Sequence, residues 1–157
     1  PEGARVGYFT TPDKVRLRYA TFPKGAGAPK GTICLVHGRT EFIEKYFETI
    51  GQLLQRGFCV VAFDWRGQGL SGREIAHPGK GHIDDFLVYE RDLDAIVDQT
   101  LAPFCPKPWF GLAHSMGASV IWSYLEQFGA ERVAKVKEAL KTQLGMSAAV
   151  VKALFEA

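Results

Sequence analysis

An α/β fold, with an open, mostly parallel sheet and flanking helices, is predicted for these 157 residues by three observations. Two continuous apolar runs, Ile33 to Val36 and Phe58 to Phe63, lack polar alternation, as in strands covered on both faces. Between them lies a segment of helical period. A third run, Trp109-Phe110-Gly111-Leu112, leads directly into another helical stretch. Strand and helix alternating in this way argue right-handed crossovers within one sheet.

Taken in order, Val15-Arg16-Leu17-Arg18-Tyr19-Ala20 has period two, the pattern of a strand wet on one face. With Gly7-Tyr8-Phe9-Thr10 before it, an antiparallel edge is expected. The segment from Lys24 to Gly31 is a loop by composition. After the Ile33 strand, Tyr46, Phe47, Ile50, Leu53 and Leu54 recur at helical spacing, with Gly57 as the stop. A further helix is expected from Asp84 or Asp85, both suitable caps. It carries Phe86, Tyr89, Leu93, Ile96 and Val97 on one face and ends before Pro103. The last helix of the core, Met116 to Phe128, turns Val120, Ile121, Tyr124, Leu125 and Phe128 inward.

Composition sets bounds on function. Nineteen basic and 17 acidic residues leave a net charge of +2 without a basic stripe, which argues against nucleic acid as a partner. The three cysteines are odd in number, and Cys34 and Cys59 fall inside strand-like runs. They read as small core residues in a reducing compartment rather than as a disulfide framework. No apolar stretch reaches the roughly 18 residues of a membrane span, so no stable membrane anchor is expected. The opening Pro1-Glu2-Gly3 has neither a charged nor an apolar leader region. A cytoplasmic protein with a processed or engineered N-terminus is the expectation.

Ser115 is the residue of greatest chemical interest. It stands in Ala113-His114-Ser115-Met116-Gly117, between the Trp109 run and the Met116 helix. A G-x-S-x-G nucleophile elbow requires this strand, tight turn and helix. The turn lifts the hydroxyl off the sheet and aims the next backbone N–H at a developing oxyanion. Ala113 replaces the first glycine with another small residue. In such elbows the acid and the histidine follow the serine, yet residues 116–157 contain no histidine. The base expected for Ser115 is therefore missing from this stretch. His77 and His82 lie in a Gly/Pro-rich loop and are weak substitutes.

Three motifs in order carry a family resemblance: Leu35-Val36-His37-Gly38, then Asp64-Trp65-Arg66-Gly67-Gln68-Gly69-Leu70-Ser71, then His114-Ser115-Met116-Gly117. From about Val15 to Phe128 the chain resembles the α/β-hydrolase superfamily, in its lysophospholipase and monoacylglycerol lipase branch. The Gly81-His82-Ile83-Asp84-Asp85-Phe86 segment fits the same branch. The resemblance implies Ser115 as nucleophile, with the backbone N–H groups of Met116 and Arg39 as the oxyanion hole. It implies that His37, Gly38, His114, Gly117 and Asp64 support these turns. Asp64 is read as holding its own turn by side-chain-to-backbone hydrogen bonds. The implied substrate is a small acyl ester, with no cofactor and no metal.

Gly67-Gln68-Gly69-Leu70-Ser71-Gly72 also matches G-x-G-x-x-G, the dinucleotide fingerprint. That site needs a helix opening on the loop, and the continuation through Pro78, Gly79 and Gly81 cannot supply one. The nucleotide reading is set aside.

Residues 1–129 thus read as the N-terminal part of a hydrolase core, and residues 130–157 as a helical C-terminal tail packed on it or swapped from it. Val133, Val136, Leu140 and Leu144 form one helical stripe, Gly145 a stop, Ser147 a cap, and Ala148 to Phe155 a short apolar helix. A truncated, recombined or engineered hydrolase fragment is the expectation. Its function is read as ester hydrolysis by descent, weak or absent without a base. The alternative is an inactive, self-associating scaffold. With the tail helical, the Trp109–Leu112 strand is expected to have an open edge. A homodimer through that edge or through the C-terminal helices follows.

Overall fold

The protein is described by a computed structural model that places residues 3–77, 79–128 and 150–155. Six strands form one sheet: β1 (Arg5–Thr10), β2 (Arg16–Phe22), β3 (Thr32–Val36), β4 (Cys59–Phe63), β5 (Trp109–His114) and β6 (Val150–Phe155). They lie in the order β1-β2-β4-β3-β5-β6. β4, β3 and β5 are parallel, while β1, β2 and β6 run antiparallel to their neighbours. The α/β class, the parallel trio and the antiparallel pair on one side are as the sequence predicts.

The continuous apolar runs are explained by burial on both sheet faces. Ile33, Leu35, Val60 and Ala62 point to one face, beneath α1 (Phe47–Gln55), where they meet Ile50 and Leu53. Cys34, Val36, Val61 and Phe63 point to the other. There they pack against α2 (Leu87–Ile96) and α4 (Met116–Phe128) through Leu93, Ile96, Val120 and Ile121. A 3₁₀ turn, Ile43–Tyr46, leads into α1, and the chain leaves that helix through Gly57 at φ +94°.

Four expectations are corrected. Arg18, assigned by its period to a wet face, is buried and paired with Asp64 and Glu44. The helix expected to stop before Pro103 instead widens into a π turn, Val97–Leu101, and resumes as α3, Ala102–Phe104. The restart places Pro103 in a first helical turn, where its missing N–H costs little. Phe86, expected on the inward face of α2, is exposed, while Asp85, one of the two expected caps, receives the Leu87 N–H at 3.0 Å.

The fourth correction concerns the tail. Val150–Phe155, expected within a helix, is strand β6, paired antiparallel along the whole of β5 from Trp109↔Phe155 to His114↔Val150. The unpaired backbone groups of an apolar edge strand must find partners, and that requirement outweighs local helix propensity; β-branched Val150 and Val151 suit the strand. The Trp109–Leu112 edge, expected to be open, is paired by the chain's own Val150–Phe155. The stripe Val133, Val136, Leu140 and Leu144, with Gly145 and Ser147, lies outside the described residues.

Candidate active site

The sheet's connectivity locates the site. From β3 the chain crosses to β4 on one side, and β5 is laid down on the other. Loops leaving β3 and β5 therefore diverge at their carboxyl ends and open a crevice, the usual ligand position in open α/β sheets. The loop after β3 carries His37, Gly38 and Arg39. The turn after β5 carries Ser115.

Ser115 has φ +51°, a left-handed conformation that is uncommon for a residue with a Cβ and marks a strained turn. It is exposed, and its carbonyl accepts the Ala118 N–H at 2.9 Å as α4 begins. The tightness of this turn depends on two glycines. A Cβ on Gly117 would lie 2.4 Å from the Val36 carbonyl oxygen and 2.6 Å from that of His37. The first turn of α4 thus rests on the end of β3. A Cβ on Gly38 would meet the Ser115 Cβ at 3.0 Å, so the loop after β3 and the Ser115 turn abut. Ala113 is buried in the core below.

Arg39 and Met116 border a cavity of about 380 Å³, together with Phe42, Gln68, Phe86 and Tyr89. Neither His77 nor His82 lines it. His82 Nε2 lies 2.8 Å from Asp84 Oδ1, and His77 Nδ1 accepts the Gly79 N–H at 3.2 Å. A second cavity, of about 370 Å³, lies at the opposite end of the strands, beside Cys59, Phe104 and Cys105, away from Ser115.

His37 is fully buried, with Nδ1 2.7 Å from the Gly38 carbonyl. Burial lowers its pKa from 6.5, outweighing the opposing pull of the Gly38 carbonyl, Asp64 and Glu41, so the ring is neutral at pH 7. Its carbonyl accepts the Trp65 indole N–H at 2.9 Å. Asp64 is buried and bonded on every side. Oδ1 accepts the Ile43 N–H at 2.9 Å; Oδ2 accepts the Leu70 N–H at 2.9 Å and Arg18 Nε at 2.7 Å. The carboxylate therefore joins the β4 turn to the oxyanion loop and to β2. The middle glycine of the G-x-G-x-x-G pattern serves this turn: a Cβ on Gly69 would fall 2.1 Å from Asp64 Oδ2.

Sequence reasoning missed two groups. Arg66, nearly inaccessible, bonds Asp92 at 2.5 and 2.9 Å, Asp13 at 2.7 and 3.2 Å and Glu74 at 2.6 Å. These bonds lock the β4 turn to α2 and to the β1–β2 hairpin. The Arg66 guanidinium beside Asp13 holds that carboxyl down at about 2. Glu41 is the other: Oε2 accepts the Gly38 N–H at 2.8 Å and the Tyr46 hydroxyl at 2.7 Å, and faces His114 Nδ1 at 3.3 Å. Burial pushes the Glu41 carboxyl up, but the hydrogen bonds from Tyr46, Gly38, His114 and Lys45 prevail and hold it at about 2. An acidic residue three positions after a glycine turn was the available signal for it. Among the described residues, no group of three or more His, Cys, Asp or Glu is placed to hold a metal ion, and no helix is long and apolar enough to cross a membrane.

Comparison with known proteins agrees with this geometry. Residues 27–143 match the sequence model of the family described as "Serine aminopeptidase, S33". Lysophospholipase L2 of Escherichia coli strain K12 is 36% identical over 122 residues, covering 76% of this chain and 34% of that protein. Monoglyceride lipase of Saccharomyces cerevisiae is 29% identical over 127 residues, covering 78% of this chain and 36% of that protein. The chain thus spans about a third of the length of these curated relatives. A thermostable carboxyl esterase from Bacillus coagulans superposes with a TM-score of 0.66 at 22% identity, over 83% of this chain and 42% of that one, a likeness of fold. With most of its length matched to the family, the chain belongs to the α/β-hydrolase family described as serine aminopeptidase S33 and is of the lysophospholipase and monoglyceride lipase type.

Proposed function

We propose that the chain carries the nucleophile and oxyanion half of a serine ester hydrolase. It acts on acyl esters of the lysophospholipid or monoacylglycerol kind. The observation that carries this reading is the φ of +51° at Ser115, in a turn pressed against Gly38 at the crevice between β3 and β5. In this reading the Ser115 hydroxyl attacks the ester carbonyl, and the N–H groups of Met116 and Arg39 bind the oxygen as it becomes negative. Such preorganised donors are each worth about 10² to 10³ in rate. The cavity beside Met116, walled by Phe42, Phe86 and Tyr89, suits an acyl chain. The names of the relatives support the substrate class. A cytoplasmic setting belongs to the same reading, supported by three free thiols.

Residues 116–157 contain no histidine, and the His114 ring faces Glu41. A serine hydroxyl without a base is a poor nucleophile. For these 157 residues assayed by themselves, the reading predicts turnover well below the roughly 1 to 10³ per second usual for enzymes. A second reading is a non-catalytic scaffold that associates with itself. An alkyl fluorophosphonate with mass-spectrometric site assignment separates them. Slow adduct formation confined to Ser115, lost in Ser115→Ala, supports the hydrolase. Labelling elsewhere, or none after prolonged exposure, supports the scaffold.

A further inference from the structure

We propose that Glu41 is a positioning residue that clamps the oxyanion loop onto the nucleophile turn, an inference that rests on the assignment of Ser115 above. One carboxylate oxygen, Oε2, is shared by three groups. It takes the N–H of Gly38 at 2.8 Å and the hydroxyl of Tyr46 at 2.7 Å, and it lies 3.3 Å from Nδ1 of His114. The other oxygen, Oε1, faces Lys45 Nζ at 3.3 Å. The three partners of Oε2 come from different places: Gly38 from the oxyanion loop, Tyr46 from the entry to α1, and His114 from the end of β5, next to Ser115. Glu41 is the point at which these segments are tied together.

The geometry around Gly38 gives the clamp its consequence. A Cβ there would stand 3.0 Å from Glu41 Oε2, 3.0 Å from the Ser115 Cβ and 3.3 Å from His114 Nδ1. The carboxylate, the serine and the histidine therefore converge on one α-carbon, and the peptide leaving it carries the Arg39 N–H. The far side of the loop is pinned separately. The Ile43 N–H reaches Asp64 Oδ1 at 2.9 Å, and the Glu41 N–H reaches Gln68 Oε1 at 3.3 Å. Between the two anchors, Arg39 and Thr40 are exposed, and Thr40 holds φ +61°. Without the Glu41 carboxylate, the direction of the Arg39 N–H would rest on the far anchor alone. A donor displaced by about 1 Å can cost up to 10²-fold in rate. The bond to Gly38 is charge-assisted, which makes it roughly twice as strong as a neutral one.

Two measurements on the whole chain test this: phosphonylation of Ser115 and amide hydrogen exchange at single residues. In the first, the Ser115 oxygen forms a bond to phosphorus as the P–F bond breaks; fluoride leaves and the hydroxyl proton passes to solvent. For Glu41→Ala the maximal labelling rate should fall about 10- to 100-fold, with the half-saturating probe concentration unchanged. Glu41→Gln should recover part of the loss, because its amide oxygen can still accept the Gly38 N–H without the charge. Tyr46→Phe should fall between Glu41→Gln and wild type. In exchange, Glu41→Ala should lose protection at Gly38 while Ile33–Val36 in β3 stay protected.

An unchanged labelling rate in Glu41→Ala would overturn the clamp. So would unchanged exchange at Gly38, or a loss of protection that spreads through β3 and makes Glu41 merely structural. If wild type does not label but Gly38 exchange responds as stated, the nucleophile reading fails and the clamp stands.

Discussion

Two turns at the carboxyl edge of the same sheet use similar residues for opposite ends. The turn after β4, from Asp64 to Gly72, is dense with groups that look catalytic, Asp64, Arg66 and Ser71, and all three are buried. Each is consumed by structure: Asp64 by Ile43, Leu70 and Arg18, Arg66 by three carboxylates, and Ser71 by the Asp64 carbonyl at 2.6 Å. The pair formed by the loop after β3 and the turn after β5 is tied instead by one carboxylate, Glu41, set between Gly38 and His114. Ser115 and Arg39 are exposed, and Arg39 and Met116 border the cavity. A charged motif within a hydrolase sheet can thus be scaffold throughout, while the neighbouring turns are shaped by glycines and a strained serine.

The contrast is tested most severely at Arg66. Arg66→Ala would leave Asp92 buried without its partner, a change that costs about 3–5 kcal/mol. Urea denaturation followed by circular dichroism should show the midpoint collapse, while the surface change Trp122→Ala, at a side chain 54% exposed, moves stability by less than about 0.5 kcal/mol. A small shift for Arg66→Ala would show that the cage is not what fixes the β4 turn.

At the reactive pair the vulnerable atoms are small ones. Gly117→Ala should destabilise by about 1–3 kcal/mol, the usual cost of overpacking, because its methyl would strike the Val36 and His37 carbonyls. Labelling of Ser115 should slow as well. The same change at Gly51, in the middle of α1 with nothing within 4 Å, should stabilise by about 0.5–1 kcal/mol. Thermal melts of the two variants check both signs; equal shifts would deny that α4 rests on β3.

The smallest effect is in the pH dependence of the Glu41 clamp. Its pKa is lowered from 4.5 to about 2 in the folded chain, so the folded state favours the charged form. That contribution is present in full above about pH 4.5 and is lost as pH falls towards 2. The stability difference between wild type and Glu41→Gln should therefore be constant from pH 5 to 7 and shrink below 4.5. A difference that persists to pH 2.5 would separate Glu41's role from its charge.

Legibility followed the range of the interactions. The Ser115 turn with Gly117 was readable because an elbow is a contiguous string whose turn is dictated locally. Glu41 and Arg66 were not. The partners of Arg66, Asp92 and Asp13, lie across the sequence, and so does His114 for Glu41, whose one local signal was its place three positions after a glycine turn. Arg18 was assigned to the wrong environment for the same reason: period two gives the side of the strand but not whether an ion pair waits there. Pro103 shows the converse, since a stop signal can be absorbed by a π turn that only packing selects.

The sequence by itself determined the α/β class, the parallel trio with its doubly buried strands and the place of the Ser115 turn between strand and helix. All of these are written in periodicity and in steric demands on neighbouring residues. Tertiary structure alone decided that β5 finds its last partner in Val150–Phe155. It also decided that the conspicuous acids and arginines of the β4 turn are spent on holding the sheet's edge together. Strand pairing and buried charge are settled by which distant groups remain unsatisfied once the core has closed, and that depends on the whole fold.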